Sequence, residues 1–130
     1  IHPILFERSI KKRLNIERLN KIIISSAKQT GRSVFTEIKK ITKFSDWIKK
    51  YKNDNSFACH FSGKFKIKNI VSSKTSDIMI IVGPEGDFSD SEIELLNVNK
   101  VPLVNLGPRR LRTESACISS ILETTDAIER

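Results

Sequence analysis

Two glycine-punctuated segments carry the residue types that could do chemistry. One is Gly83-Pro84-Glu85-Gly86, and the other runs Leu106-Gly107-Pro108-Arg109-Arg110-Leu111-Arg112-Thr113-Glu114-Ser115. Each follows an apolar run, so each reads as a turn leaving the end of a strand. Glycine lets a ligand approach the main chain, whose N–H and C=O groups can read an adenine edge as a pairing base would. Neither segment matches G-x-x-x-x-G-K-[ST] or G-x-G-x-x-G, and a carboxylate, Glu85, stands where a phosphate loop wants a lysine. The chemistry points away from polyphosphates and toward a neutral or cationic adenosine derivative.

Taken singly, each feature has a plain structural explanation. Gly83 and Gly86 would shape a strand-to-helix turn with or without a ligand. Arg109, Arg110 and Arg112 read as a solvated face, and Glu114 is favourable in a first helical turn through the helix dipole alone. Cys59 and His60, neighbours on an expected strand, point to opposite faces and make a poor metal pair. His2 and His60 carry no chemical pattern. Trp47 and Tyr51, one turn apart, are expected to cover the core rather than stack on a base. No metal site is expected.

The elements that must position these turns follow from periodicity. Residues 77–83 form a continuous apolar run, the pattern of a strand covered on both faces of a parallel sheet. Ser89 followed by Glu92 is a capping box, so a helix starts there and carries Ile93 and Leu96 inward. Residues 101–107 supply a second buried strand with Pro102 near its beginning. From Thr113, Ile118, Ile121, Leu122, Thr125 and Ile128 mark a last helix. Upstream, 4–6 reads as a short strand. Ile16, Leu19, Ile23 and Ala27 recur at helical spacing between an Asn15 cap and Gly31. Residues 44–51 form a shorter helix capped by Ser45, 56–61 a strand, and 63–74 a lysine-rich surface excursion with little order. Strands alternating with helices predict an α/β layer fold with a mostly parallel sheet, without repeats or linkers. In open parallel sheets ligands bind beyond the carboxyl ends of strands, so the two turns are expected to face one pocket.

Composition bounds the rest. At 130 residues the chain fits one domain with one core. Lys plus Arg number 23 against 15 Asp plus Glu, a formal charge of +8, and nucleic acid is the first anionic partner to consider. Cys59 and Cys117 are far apart without metal-ligand spacing, which predicts free thiols in a reducing compartment. No apolar run reaches the ~20 residues that cross a bilayer, so a cytoplasmic location is expected. The chain opens on Ile1 with a strand-like run already under way, and is expected to be the inside of a longer protein.

The ordered set "ERS", "AKQTGRS", "GPEGDFSDSE" and "LGPRRLRTESA" resembles the RsmE family, the 16S rRNA uracil-N3 methyltransferases of the SPOUT superfamily. The similarity runs from Glu7 to about Ile121, and its last motif is the specific part. SPOUT enzymes that methylate ribose 2′-hydroxyls have a Ser-Leu-Asn pattern where this chain has Leu111 to Ala116. The resemblance implies an α/β domain with a C-terminal deep trefoil knot. It implies S-adenosylmethionine as cofactor, bound by Gly83, Glu85, Gly86, Leu106, Gly107 and Leu111. Arg112 would stabilise the uracil oxygens, and Glu114 would orient that arginine or accept a proton. Arg8, Gln29, Arg32, Arg109 and Arg110 would contact RNA or the second subunit of a homodimer, and the partner would be the 16S rRNA of the small ribosomal subunit.

Two positions depart from the family pattern: Asp87 stands where a second glycine is usual, and Arg110 where an aliphatic residue is usual. A family member also carries an N-terminal PUA-like barrel, then a strand and helix, before the position of Ile1. Residues 1–130 are thus expected to be the SPOUT methyltransferase domain without those parts. The alternatives are a SPOUT enzyme acting on another RNA base, a basic RNA-binding module that has lost catalysis, and a generic nucleotide-binding domain.

Overall fold

In the computed structural model, which describes all of residues 1–130, strands and helices alternate along the chain. β1 (Ile4–Leu5) precedes α1 (Ile16–Gln29), and β2 (Thr42–Lys43) runs directly into α2 (Phe44–Tyr51). Then come β3 (Ser56–Cys59), α3 (Ile67–Ile70), β4 (Met79–Val82), α4 (Asp90–Val98), β5 (Leu103–Val104) and α5 (Thr113–Glu129). β1 and β2 pair in parallel, and the main sheet has the order β4-β3-β5 with every pairing parallel. The α/β fold with a parallel sheet is therefore the one the periodicity predicts.

The sheet is covered on both faces, which is why its strands are apolar apart from Ser56 at the start of β3. On one side Ala58 and Ile81 pack with Phe44, Trp47 and Ile48 of α2, Leu96 of α4, and Phe6 and Phe88. On the other, Phe57, Cys59 and Val104 pack with Ile67, Val71 and Ala127. Trp47 and Tyr51 cover the core as expected, with Tyr51 half-buried.

Several boundaries differ from expectation. Ser45 is not the cap of α2: the helix begins at Phe44, with Lys43 as its N-cap and no side-chain cap bond, because Phe44 must enter the core directly from β2. β3 stops at Cys59, where the chain turns and the Gly63 N–H closes onto the His60 carbonyl (2.9 Å). The stretch 63–74 is not a loose excursion. It carries α3, buries Ile67 and Val71, and forms a parallel bridge from Phe65 to Val104. The last helix turns its small residues inward: Ala116, Ser120, Thr124 and Ala127 are buried, whereas Ile118, Ile121 and Leu122 are more than half exposed.

Local signals hold elsewhere. Asn15 caps α1 by accepting from the Arg18 N–H (3.0 Å). Ser89 and Glu92 form the predicted capping box, Leu96 is fully buried, and Ile93 packs against the core. Both cysteines are free, Cys59 buried and Cys117 half-buried. No helix is long and apolar enough to cross a membrane.

Candidate functional site

β4 and β5 flank β3 and run parallel to it, so the turns at their carboxyl ends emerge on the same side. Between them opens a cavity of about 610 Å³. Its walls are the ends of β3 (Cys59, His60, Phe61) and β4 (Val82 to Glu85, and Asp87), the loop after β5 (Asn105 to Gly107 and Arg109 to Arg112), and the start of α5 (Thr113, Glu114, Ala116). The volume lies within the ~300–1,000 Å³ of sites for cofactor-sized ligands.

The turn after β4 is fixed from outside the cavity. The Arg8 guanidinium donates to the carbonyls of Gly86 (3.0 Å) and Phe88 (3.3 Å). The Glu7 N–H donates to Glu92 Oε1 (2.8 Å), whose other oxygen accepts from the Ser89 N–H (2.8 Å). Ser91 Oγ in turn donates to Glu7 Oε1 (2.6 Å), and the hydroxyls of Ser91 and Ser89 hold the Glu7 carboxyl below the ordinary carboxylate range. The "ERS" segment is thus bonded to the first turn of α4. A hydroxyl from the last helix reaches the same turn, since Thr113 Oγ1 donates to the Gly83 carbonyl (3.2 Å).

The loop after β5 depends on Asn105. Its Oδ1 accepts from the Gly107 N–H (2.7 Å) and its Nδ2 donates to the Phe61 carbonyl. Gly107 has φ +148°, a conformation that side-chain-bearing residues avoid. Arg110 then reaches across the cavity mouth, its Nη2 donating to Asp87 Oδ2 (2.7 Å). Arg112, the N-cap residue of α5, and Glu114, in its first turn, stand at the rim. Both are exposed, and no ion pair joins them, so neither is engaged by the other.

Of the residues expected to line a cofactor site, Gly83, Glu85, Leu106, Gly107 and Leu111 do line the cavity. Gly86 does not; a Cβ there would stand 2.9 Å from the Arg8 Cβ, so Gly86 meets Arg8 instead. Arg109, Arg110, Arg112 and Glu114 line the same cavity. Arg8 lies behind it as a brace. Gln29 ends α1 and Arg32 follows it, both exposed and outside the cavity. Residues that the motifs did not single out are Cys59, His60, Asn105 and Thr113. Burial pushes the Cys59 thiol up to about 12, so it lines the cavity as a neutral group. The signal for His60 and Cys59 was their place at the carboxyl end of the central strand. No cluster of three or more His, Cys, Asp or Glu is placed to hold a metal ion.

Charge is distributed unevenly around this site. Residues 1–52 hold fourteen Lys and Arg against four Asp and Glu, whereas residues 53–130 hold nine against eleven. The positive excess therefore sits wholly in the segment of β1, α1, β2 and α2. The cavity itself is mixed, with Glu85, Asp87 and Glu114 facing Arg109, Arg110 and Arg112, and no lysine lines it.

The family model described as an RNA methyltransferase domain matches residues 1–123. The chain is 39% identical over 113 residues to the ribosomal RNA small subunit methyltransferase E of Rickettsia conorii, covering 85% of this chain and 46% of that protein. It is 35% identical over 123 residues to the protein of the same description from Aquifex aeolicus, covering 92% and 53%. Among solved structures, a Legionella pneumophila protein crystallised with bound SAM superposes with a TM-score of 0.88 at 28% identity, covering 98% of this chain and 55% of that one. The chain spans about half the length of the curated relatives it matches.

Proposed function

This chain belongs to the RNA methyltransferase domain family, as a member of the RsmE group, and from that premise we propose an S-adenosylmethionine-dependent transferase that methylates N3 of a uridine in 16S rRNA. The observation that carries the reading is the convergence of two glycine turns on one cavity with Arg112 and Glu114 at its rim. The lining suits the cofactor. Val82, Leu106 and Ala116 offer apolar contact, the turn backbones offer donors and acceptors, Glu85 would offset the cofactor's positive charge, and no lysine solicits a phosphate.

When bound, S-adenosylmethionine supplies the electrophilic methyl group that N3 takes. The protein's contribution is chiefly alignment, an effect worth up to ~7–11 kcal/mol in well-oriented systems. The uracil imide must also lose its proton, and negative charge then develops on the ring oxygens. Arg112, exposed at the rim and free of an ion pair, is placed to stabilise that charge. Glu114, on the same rim, is the group that accepts the proton.

The basic first segment is the surface offered to RNA phosphates, with the small ribosomal subunit as partner in the cytoplasm. The same reading includes a homodimer. It is supported by the outward apolar face of α5, where Ile118, Ile121 and Leu122 are 62%, 57% and 64% exposed. Gln29 and Arg32, both exposed, would contact RNA or the second subunit. It also includes the trefoil knot that the family resemblance implies.

The test is transfer of labelled methyl groups to small subunits that lack the modification. Product at a uridine N3, lost in Arg112→Ala with RNA affinity largely retained, is the expected result. Label on another base would redirect the substrate, and unchanged activity in Arg112→Ala would remove its role. Sedimentation of Ile121→Glu as a monomer, beside a dimeric unsubstituted chain, would support the interface.

A further inference from the structure

Asp87 is held in an unusual state for a surface aspartate. Its φ is +64°, a region that non-glycine residues seldom adopt, although aspartate tolerates it better than most. That backbone turns the carboxylate across the cavity mouth, where each oxygen is engaged. Oδ1 accepts from the Phe88 N–H (2.9 Å), and Oδ2 meets Arg110 Nη2 at 2.7 Å and His60 Nε2 at 3.3 Å. His60 Nδ1 meets Ser62 Oγ at 2.7 Å and the Ser62 N–H at 3.3 Å, which turns Nε2 toward Asp87. One carboxylate thereby joins three separate walls of the cavity: the end of β3, the turn after β4 and the loop after β5.

We propose that Asp87 and Arg110 form a latch across the mouth of the cofactor cavity, closing the turn after β4 onto the loop after β5 and setting how tightly the cofactor is retained. The inference rests on the cofactor reading above. Asp87 is the fixed half, with its side chain 22% exposed and backed by His60 at 17%. Arg110 is the mobile half, its side chain 71% exposed, so it can swing away to admit or release a ligand without disturbing the core. Neither group touches the reacting atoms in this scheme; both are positioning residues. The pair acts by keeping Gly83, Glu85 and Leu106, Gly107 at their present separation.

A merely structural role and a latch differ in what Asp87→Gly does. Glycine suits φ +64° better than aspartate, so the backbone alone predicts an equal or higher melting temperature. The latch predicts weaker cofactor retention from the same substitution. Calorimetric titration with S-adenosylhomocysteine reads this directly on the full chain, alongside thermal melts. Because the arginine is exposed, Arg110→Met should weaken binding by about two- to five-fold. Asp87→Gly should weaken it at least as much at unchanged or raised melting temperature, and the double variant should be no weaker than Asp87→Gly alone. Raising KCl from about 50 to about 500 mM should weaken binding to the unsubstituted chain by a similar factor and leave Arg110→Met nearly flat. Unaltered affinity in both single variants, or losses that multiply in the double, would overturn the latch while leaving the cofactor reading in place. Absence of binding by the unsubstituted chain would overturn the cofactor reading and the latch with it.

Discussion

Replacing Gly63 with alanine tests whether the pocket depends on a backbone crossing remote from its motifs. A Cβ at this position would stand 2.4 Å from the Val104 carbonyl carbon, 2.6 Å from the Asn105 nitrogen and 2.8 Å from the Leu103 carbonyl carbon. Unstrained contact begins at 3.4 Å against the present 2.4 Å, so β5 must retreat by about 1 Å in a close-packed interior. That retreat pulls on the bonds from the His60 N–H to the Val104 carbonyl (2.9 Å) and from the Asn105 N–H to the Phe65 carbonyl (3.0 Å). Two weakened bonds at about 1 kcal/mol each, plus overpacking at about 1–3 kcal/mol, give a loss of about 3–5 kcal/mol. That is a large part of the ~5–15 kcal/mol of a whole domain. Urea unfolding followed through Trp47, the single tryptophan, measures it. S-adenosylhomocysteine affinity should fall as well, because Asn105 sits at the crossing and positions Gly107. A loss under about 1 kcal/mol would show that β5 yields freely and would refute the reasoning.

Gly107→Ala inverts the problem, since nothing lies within 4 Å of its Cβ and only φ +148° opposes the change. It should cost about 1–3 kcal/mol of backbone strain, and cofactor titration should register the change more strongly than urea unfolding does. Arg8→Ala removes donors from the carbonyls of Gly86 and Phe88 and should weaken cofactor binding about three- to ten-fold, with Arg8→Lys recovering part of the loss. Burial pushes the Cys59 thiol up from its ordinary 9.0 to about 12. A raised folded pKa gives stability that is complete below pH 9 and lost as pH rises toward 12, so the urea midpoint should fall across that range less steeply in Cys59→Ala. In the native protein near pH 8 its thiolate fraction is about 1,000-fold below that of an ordinary thiol, and mass spectrometry after iodoacetamide should find it unlabelled.

The architecture was legible because its signals are local. The Ser89 and Glu92 capping box and the Asn15 cap each act over a few residues and are present as read, and the apolar runs before Gly83 and Gly107 do hold strands, shorter than expected at Met79–Val82 and Leu103–Val104. The convergence of two turns on one cavity followed from strand direction alone. The 63–74 segment was illegible for a physical reason. Its apolar residues, Phe65, Ile67, Ile70 and Val71, are diluted by Lys64, Lys66 and Lys68, whose long stems reach solvent while the residues between them pack on β5. Composition reads such a stretch as surface, although Phe65 bridges to Val104 and Ile67 and Val71 are buried. Asp87 and Arg110 were visible only as two separate departures from a family pattern. That they answer one another is a property of positions 23 residues apart in sequence, which no local rule connects.

The last helix shows where hydrophobicity misleads. Isoleucine and leucine at 118, 121, 122 and 128 mark the helix correctly yet stand outward, because α5 lies close to β4 and α3 and only Ala116, Ser120, Thr124 and Ala127 fit beneath it. A helix that turns small residues to its own core and large apolar ones outward presents an apolar face that nothing in this chain covers. α1 repeats the pattern, with Ile16, Ile22 and Ile24 exposed and only Ala27 buried. Arg112 and Glu114 stand at the start of α5, so a second subunit seated on its apolar face, as in the proposed homodimer, would also border the rim of the cavity.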